Sequence, residues 1–503
     1  MILPLTPLDF LARARRLFAD RIGVIDGDHR FTYADFGERC DALARLLVDE
    51  CAIRPGDVVA WRCGNTHELL EAYFGVLLAG AVLLPVNIRL APAEIDFVLR
   101  DADARVVFRH PDQPEIDAAV ATRVLDETHH ELIEHHRRSE VWPRPEIDER
   151  SPAEIFYTSG STGSPKGAVL SHRALYLHAI HNALTGSITG HDVILHTIPL
   201  FHVNGWGVPH YLTGLGGQHV MLAKFDPAEV LRLVEQHRVT RLLLVPTMVQ
   251  MLLDHPDLAI RDVSSVVQVT IGGAPPPPAM LTQVEQAFGA ECVCGYGMTE
   301  TSPSMLRSLD KPGHAPSPER RATTGLPIIG VDLRVFDADG TEVPWDAESV
   351  GEVCVRSNHV MSEYLGDPAA TAQVIVDGWL HTGDLAHVRP DGFVQVVDRK
   401  KDLIVSGGEN IACPEVEHAL LEHPAVREAS VIGVSDDRWG EVPRAFVSLV
   451  DTDDEPPTVD ELIEFVRARL AHFKAPRDVI VLDDLPKGGT GKIQKQTLRA
   501  WTL

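Results

Sequence analysis

From Tyr157 to Gly167 the chain reads Tyr-Thr-Ser-Gly-Ser-Thr-Gly-Ser-Pro-Lys-Gly. Glycine, serine and threonine expose backbone N–H groups and hydroxyls that can wrap phosphate oxygens, and a following lysine adds a point charge. Thr158, Ser159, Gly160, Ser161, Thr162, Gly163 and Lys166 are therefore candidate phosphate contacts. The segment is not a Walker A loop, because Pro165 stands where that pattern demands glycine. Three other signals invite different chemistry and fail. His130-Glu-Leu-Ile-Glu-His135 carries its second histidine one residue late for HExxH. On a helix those two rings would point ~140° apart and could not share a zinc ion. With His129 and His136 they are expected to form a solvated surface cluster. Ser161 lacks the first glycine of a nucleophile elbow, since Ser159 occupies that position. Cys292 and Cys294 would share one face of a strand, which suits packing better than redox chemistry.

The 157–167 stretch resembles the signature of the adenylate-forming (AMP-binding) superfamily, which includes acyl-CoA synthetases, peptide-synthetase adenylation domains and beetle luciferases. The resemblance continues in order along almost the whole chain. It runs through Pro199-Leu-Phe-His-Val-Asn-Gly205, Gly272-Gly-Ala-Pro275, Gly295-Tyr-Gly-Met-Thr-Glu-Thr301 and His381-Thr-Gly-Asp384. It ends with Asp398-Arg-Lys-Lys-Asp402, Gly407-Gly-Glu-Asn410 and Gly491-Lys492. Val405 stands where luciferases and plant coumarate-type ligases carry lysine, which draws the chain towards the fatty-acid–CoA ligase type.

By this resemblance the protein is an ATP-dependent acid–CoA ligase using ATP, Mg²⁺ and, as co-substrate, CoA. Gly272, Gly273, Ala274 and Pro275, with Gly295, Tyr296 and Gly297, would wall the adenine slot. Thr299 would touch the α-phosphate, and Glu300 would be the Mg²⁺ ligand, a hard carboxylate suited to that ion. Asp384 would accept hydrogen bonds from the ribose hydroxyls, and Arg399 would be a second ribose or phosphate contact. Lys401 falls at the family's hinge. Lys492 would stabilise the charge that grows on the phosphoryl oxygens as the carboxylate attacks; loss of one such preorganised group typically costs about 3–4 kcal/mol. Gly407, Gly408 and Glu409 would border the channel for the CoA pantetheine arm. His202 would lie beside the acyl carboxylate, with Trp206 and Met298 lining an apolar pocket. Amino-acid-activating relatives place an aspartate after the phenylalanine equivalent to Phe201, and this chain has His202 there. That favours a simple acid of medium length, branched or aryl.

These residues need rigid supports. Thr32 with Asp35 reads as a helix N-cap, followed by Phe36, Cys40, Leu43, Ala44 and Leu47 at helical spacing. Short apolar runs at 57–61, 105–108, 241–245 and 266–271 read as strands, and 72–86 as a buried helix running into a strand. Alternation of this kind predicts α/β layers with a largely parallel sheet. Runs at 332–336, 351–355 and 393–397 predict a compact β subdomain. Beyond 402, Pro414 marks one helix start and Thr458 with Glu461 a capping box. The expected fold is therefore α/β: a large N-terminal domain of layered α/β subdomains plus a small β subdomain (1–398), a hinge (399–402), and a small mobile α+β C-terminal domain (403–503).

Composition restricts the partners. Lys and Arg number 46 against 72 Asp and Glu, a net charge of −26. Such an acidic surface repels nucleic acid and anionic lipid, so an anion such as ATP needs locally placed positive charge. No apolar run approaches the ~20 residues of a membrane span, and Met1-Ile-Leu-Pro-Leu-Thr-Pro lacks an export signal's basic and apolar regions. Seven cysteines without CxxC spacing favour free thiols and a cytoplasmic location. Two alternatives stand beside the CoA ligase. One forms the adenylate but passes it to a carrier-protein thiol, an amine or another nucleophile. The other is a nucleotide-binding pseudoenzyme, which would erode Lys166, Glu300, Asp384, Arg399 and Lys492; all five are present.

Overall fold

A computed structural model describes residues 3–115, 120–158, 165–274, 276–315, 317–407, 409–436, 438–450, 456–487 and 493–501. Its contacts divide the chain into two units: Met1–Asp332 with Arg356–Leu380, and Leu333–Val355 with His381–Leu503. Residues 399–402 fall within the second unit.

The first unit contains two large sheets. One orders its strands Leu326–Pro327, Ser304–Arg307, Glu291–Gly297, Gln268–Ile271, Arg241–Leu244, Val193–Leu195, Gln218–Val220, Ile22–Asp26 and His29–Thr32. The six from Glu291–Gly297 to Ile22–Asp26 run parallel, and antiparallel strands close both ends. The other orders Glu363–Tyr364, Lys166–Ser171, Pro152–Thr158, Val82–Pro85, Val58–Arg62, Ala104–Arg109 and Ala121–Val124. Its first three strands pair antiparallel and the rest parallel. The apolar runs expected as strands at 57–61, 105–108, 241–245 and 266–271 overlap Val58–Arg62, Ala104–Arg109, Arg241–Leu244 and Gln268–Ile271 of these sheets.

Helix Tyr33–Asp49 starts where the sequence signals it. Thr32 Oγ1 accepts from the Asp35 N–H at 3.1 Å and Asp35 returns a bond to the Thr32 N–H. Helix His67–Leu78 is buried on every side and leads to strand Val82–Pro85. It packs within the core against Phe36, Cys40 and Leu43, and its polar residues His67, Glu68 and Glu71 are buried as well. Among the described residues no helix is long and apolar enough to cross a membrane.

The second unit is α+β. Strand Val394–Arg399 pairs antiparallel with Trp379–Val388. Beyond it a separate sheet orders Glu409–Ile411, Ile404–Ser406, Gly440–Leu449 and Val426–Asp436, with Asp478–Val481 parallel to Gly440–Leu449. Helices Cys413–Leu421 and Val459–Arg467 bury Val416, Leu420, Leu462 and Val466 against Val431 and Val447. Pro414 sits in the first turn of one, and Thr458 with Glu461 forms a reciprocal cap on the other.

One expectation is corrected. His129 and His136 are not solvated: both are buried on helix Glu127–His136, one above the other with Ile133. His129 packs edge-on against Trp61 and Phe108, and His136 Nε2 lies 2.8 Å from Glu50 Oε1. Burial holds the His129 ring neutral, its pKa pulled down to about 4.

Candidate functional site

Thr158 and Lys166 face each other in the hairpin formed by Pro152–Thr158 and Lys166–Ser171, on either side of its connecting segment 159–165. The intervening Ser159, Gly160, Ser161, Thr162 and Gly163 lie outside the described residues, as do Pro275, Gly408 and Lys492. The Lys166 ammonium sits 5.3 Å from the centre of the Tyr364 ring. Tyr364 in turn donates its hydroxyl to Glu300 Oε1 at 2.7 Å. Glu363–Tyr364 pairs antiparallel with the lysine strand, Tyr364 opposite Ala168, which fixes this line of side chains. Burial and the neighbouring Glu300 raise the Tyr364 hydroxyl's pKa well above its ordinary value, so it remains a donor. The sequence reading gave Tyr364 no role.

Glu300 and Thr299 are both buried, on a single 3₁₀ turn, Thr299–Thr301. Met361 N–H donates to the Glu300 carbonyl at 2.7 Å. Ser302, with φ +71°, donates its hydroxyl to His359 O, and His359 Nδ1 lies 2.8 Å from Thr301 O. His178 Nε2 accepts from Ser304 N–H at 3.3 Å. Burial pulls the His359 pKa down to about 4 and His178 far below its usual range. Both rings are neutral, so His359 donates to the Thr301 carbonyl through an Nδ1–H. These two buried histidines also went unassigned in the sequence.

Gly272 and Gly295–Gly297 stand at the carboxyl ends of neighbouring parallel strands, the edge where open α/β sheets bind ligands. Their backbones are tightly approached. A Cβ on Gly272 would lie 2.6 Å from the Trp206 ring, and one on Gly297 only 1.9 Å from Pro303 O. Trp206 therefore closes over the Gly272 backbone, bringing an expected acyl-pocket residue beside an expected adenine wall. Gly273 takes φ +84°, a left-handed conformation suited to glycine. Tyr296 and Met298 are half-buried. Cys292 and Cys294 are buried on the same strand; burial pushes the Cys294 thiol up to about 12.

His202 precedes a left-handed turn, Val203–Gly207, in which Val203, Asn204 and Trp206 all have positive φ. Positive φ in a β-branched valine stores strain. A buried carboxylate holds the turn: Glu154 Oε2 accepts from Asn204 Nδ2 at 3.2 Å, and Glu154 Oε1 lies 3.0 Å from His210 Nε2. Glu154 belongs to the hairpin strand that ends at Thr158.

In the second unit Asp384 and Arg399 are register partners on adjacent strands, with Arg399 Nε 3.3 Å from Asp384 Oδ1. Asp384 is buried whereas Arg399 is exposed. The preceding turn is fastened by Glu352, which accepts from the Gly383 N–H and pairs with His381 and Lys400. Burial alone would raise the Glu352 pKa, but those partners hold it below the usual range. Asp398 accepts from the Cys413 and Arg399 N–H groups at 2.7 Å each, tying the Arg399–Lys401 segment to the helix that follows. Lys401 and Glu409 are exposed. Gly407, at φ +60°, donates its N–H to Trp439 O, and a Cβ there would meet the Trp439 ring at 2.7 Å.

Comparison with known proteins covers the whole chain. Residues 11–365 match the family model described as AMP-binding enzyme, and 415–492 match the AMP-binding enzyme C-terminal domain. The 4-hydroxybutyrate–CoA ligase 2 of Metallosphaera sedula is 35% identical, over 98% of this chain and 94% of that protein. The 2-methylpropanoate–CoA ligase of Humulus lupulus is 33% identical, over 99% and 95%. Among solved structures, o-succinylbenzoate CoA synthetase from Bacillus subtilis, bound to its acyl-adenylate intermediate, superposes with a TM-score of 0.87. It is 30% identical, with 99% of this chain and 98% of that chain covered. The same enzyme has been solved with ATP and a magnesium ion.

Proposed function

The chain belongs to the AMP-binding enzyme family and is an ATP-dependent, AMP-forming carboxylic acid–CoA ligase, and from that premise we propose how its residues divide the two half-reactions. The observation that carries this reading is the line from Lys166 through Tyr364 to Glu300. It aligns a cation from the phosphate-loop hairpin with a buried carboxylate on the turn after Gly297. Glu300 suits Mg²⁺ in donor type and in being fixed by Tyr364 and the Met361 N–H, and Mg²⁺ would neutralise the departing pyrophosphate. Thr158–Gly163 and Lys166 bind the triphosphate, with Thr299 at the α-phosphate. Gly272–Pro275 and Gly295–Gly297 flank adenine, and Asp384, oriented by Arg399, accepts from the ribose hydroxyls. His202 orients the acid's carboxylate for attack on the α-phosphorus, and Lys492 stabilises the charge that accumulates there.

The second half-reaction needs Lys492 withdrawn and a path for a thiol. Movement about residues 399–402 supplies the first, and the backbone of Gly407–Gly408 beside Glu409 the second. Arg399 belongs to the Asp384 pair, and its N–H is also bound by Asp398 next to the proposed hinge, so the ribose contact and the pivot are adjacent in the chain. Trp206 and Met298, both half-buried and apolar, support a small branched, medium-chain or aryl acid. Seven free cysteines suit a reducing compartment, and we place the enzyme in the cytoplasm.

Pyrophosphate release and AMP formation across a panel of carboxylic acids, each with and without CoA, tests the assignment. Turnover that requires both acid and CoA is expected, with medium-chain, branched or aryl acids preferred. Acid-dependent pyrophosphate that is indifferent to CoA would replace the acceptor.

A further inference from the structure

His130 is the first histidine of the failed HExxH pattern, and His135 does not complete its site. Two residues on another helix stand beside it. His67 and Glu68 open helix His67–Leu78, and His130 projects from Glu127–His136. His67, Glu68 and His130 each offer one ligand atom, all within 4.8 Å of one another. The two imidazole planes are nearly parallel, 17° apart, with ring centroids at 5.9 Å. Glu68 Oε1 lies 3.5 Å from His130 Nε2. Glu68 Oε2 is buried and lies 3.4 Å from His67 Nδ1, so one carboxylate faces both imidazoles.

We propose that His67, Glu68 and His130 bind a zinc-class divalent ion that fastens helix Glu127–His136 to helix His67–Leu78. Two imidazoles and one carboxylate are a donor set that favours zinc and its transition-metal neighbours over magnesium, with water completing the coordination. The surroundings are those of a metal-binding histidine. Asp26 Oδ2 lies 2.8 Å from His67 Nδ1 and also accepts the His67 N–H at 2.9 Å. With Nδ1 engaged by Asp26, Nε2 is the nitrogen assigned to the ion in this proposal, the carboxylate–histidine–metal relay in which the outer carboxylate sets the tautomer. Arg39, the neighbouring cation, makes its ion pairs with Glu71 at 2.5 Å and Glu134 at 3.1 Å. His130 is about one-third exposed, giving the ion an entry path, while His67 and Glu68 are buried.

The experiment uses the full-length protein, stripped with chelator and free of nucleotide. It is titrated with Co²⁺ as a spectroscopic probe and then with Zn²⁺ as competitor. One Co²⁺ per chain with visible absorption, displaced by Zn²⁺, is expected. His130→Gln should abolish the band, and because that side chain is partly exposed the fold should survive, checked by circular dichroism. Asp26→Asn should weaken binding about 10–100-fold through loss of the orienting carboxylate. Glu300→Gln and the exposed-site control His191→Ala should both retain the band. Absence of a stoichiometric band in the wild-type protein, or a band that survives His130→Gln, would overturn the proposal. So would a band that disappears with Glu300→Gln, since the ion would then belong to the nucleotide site.

Discussion

Replacing Tyr364 with phenylalanine removes one oxygen and leaves the ring in place. The lost hydroxyl donates at 2.7 Å to Oε1 of Glu300, a side chain only about 5% exposed, so water has little access to replace it. A hydrogen bond to a charged acceptor is worth about 1.5–3 kcal/mol, and the buried oxygen left behind raises the cost towards the upper figure. If Glu300 holds Mg²⁺ at the triphosphate, that energy is drawn from the adenylation transition state, a fall of about 10–100-fold in kcat/KM for pyrophosphate formation. The ring beneath Lys166 survives, so the 5.3 Å cation–π contact, worth about 0.5–1 kcal/mol near the surface, is not confounded. Tyr364→Ala would lose that contact and core packing as well, by about 3–5 kcal/mol, and could fail through instability. The assay is pyrophosphate release against Mg²⁺ concentration, paired with thioester formation from synthetic acyl-adenylate and CoA. Tyr364→Phe should raise the Mg²⁺ requirement and slow the first reaction while sparing the second. An unchanged Mg²⁺ dependence, or equal loss in both half-reactions, would refute the link between Tyr364 and metal-assisted adenylation.

Lys492→Ala should slow pyrophosphate formation by about 10²–10³-fold, the range for losing one preorganised charge at a phosphoryl or oxyanion centre, and leave the thioester step from preformed adenylate near its original rate. Gly297→Ala places a methyl 1.9 Å from Pro303 O and must displace the turn carrying Thr299 and Glu300, so adenylation should fall about 10²-fold. Gly289→Ala, at φ +64° with open space around it, should lower the denaturation midpoint slightly and leave kcat unchanged. His172, His196 and His359 are buried neutral, with pKa values pulled by desolvation to about 4, 3 and 4. The unfolded chain protonates them near 6.5, so it binds more protons as acid is added, and stability present above that pH is lost as pH falls towards those folded values. By pH 5 the loss is about 2 kcal/mol per histidine, visible as a lower urea midpoint than at pH 7.5. A midpoint that is flat between those two pH values would contradict the buried-neutral assignment.

The signals that sequence carries well are those complete within a few residues. Thr32 with Asp35 and Thr458 with Glu461 are reciprocal caps whose donors and acceptors lie three positions apart, so no tertiary information is needed to read them. The strand runs at 241–245 and 266–271 are legible as short, mostly apolar segments, although Gln268 and Thr270 alternate with Val269 and Ile271 in a strand buried on both faces. Tyr364 carries no such local mark. Its role arises because a two-residue strand pairs with Lys166–Ser171, far away in the chain, and only that register sets its hydroxyl against Glu300. Glu154 is a similar case: an acidic residue in an apolar run, intelligible only once the left-handed turn with Asn204 and His210 surrounds it.

His129 and His136 failed for a different reason. Their spacing with Ile133 describes one buried helical face, whereas histidine as a residue type suggests solvent. The same helix then shows what residue type alone does carry. His129 and His136 pair with the core and with Glu50, whereas His130, one residue round the helix, meets His67 and Glu68. A metal-ligand search confined to one helix rejects this segment correctly, because His130 and His135 diverge. Its candidate ligands come from two helices, and no spacing rule along a single segment connects residue 130 with 67. Long-range placement decides which histidines are packing and which can bind, in the same way that it decides which tyrosine supports Glu300.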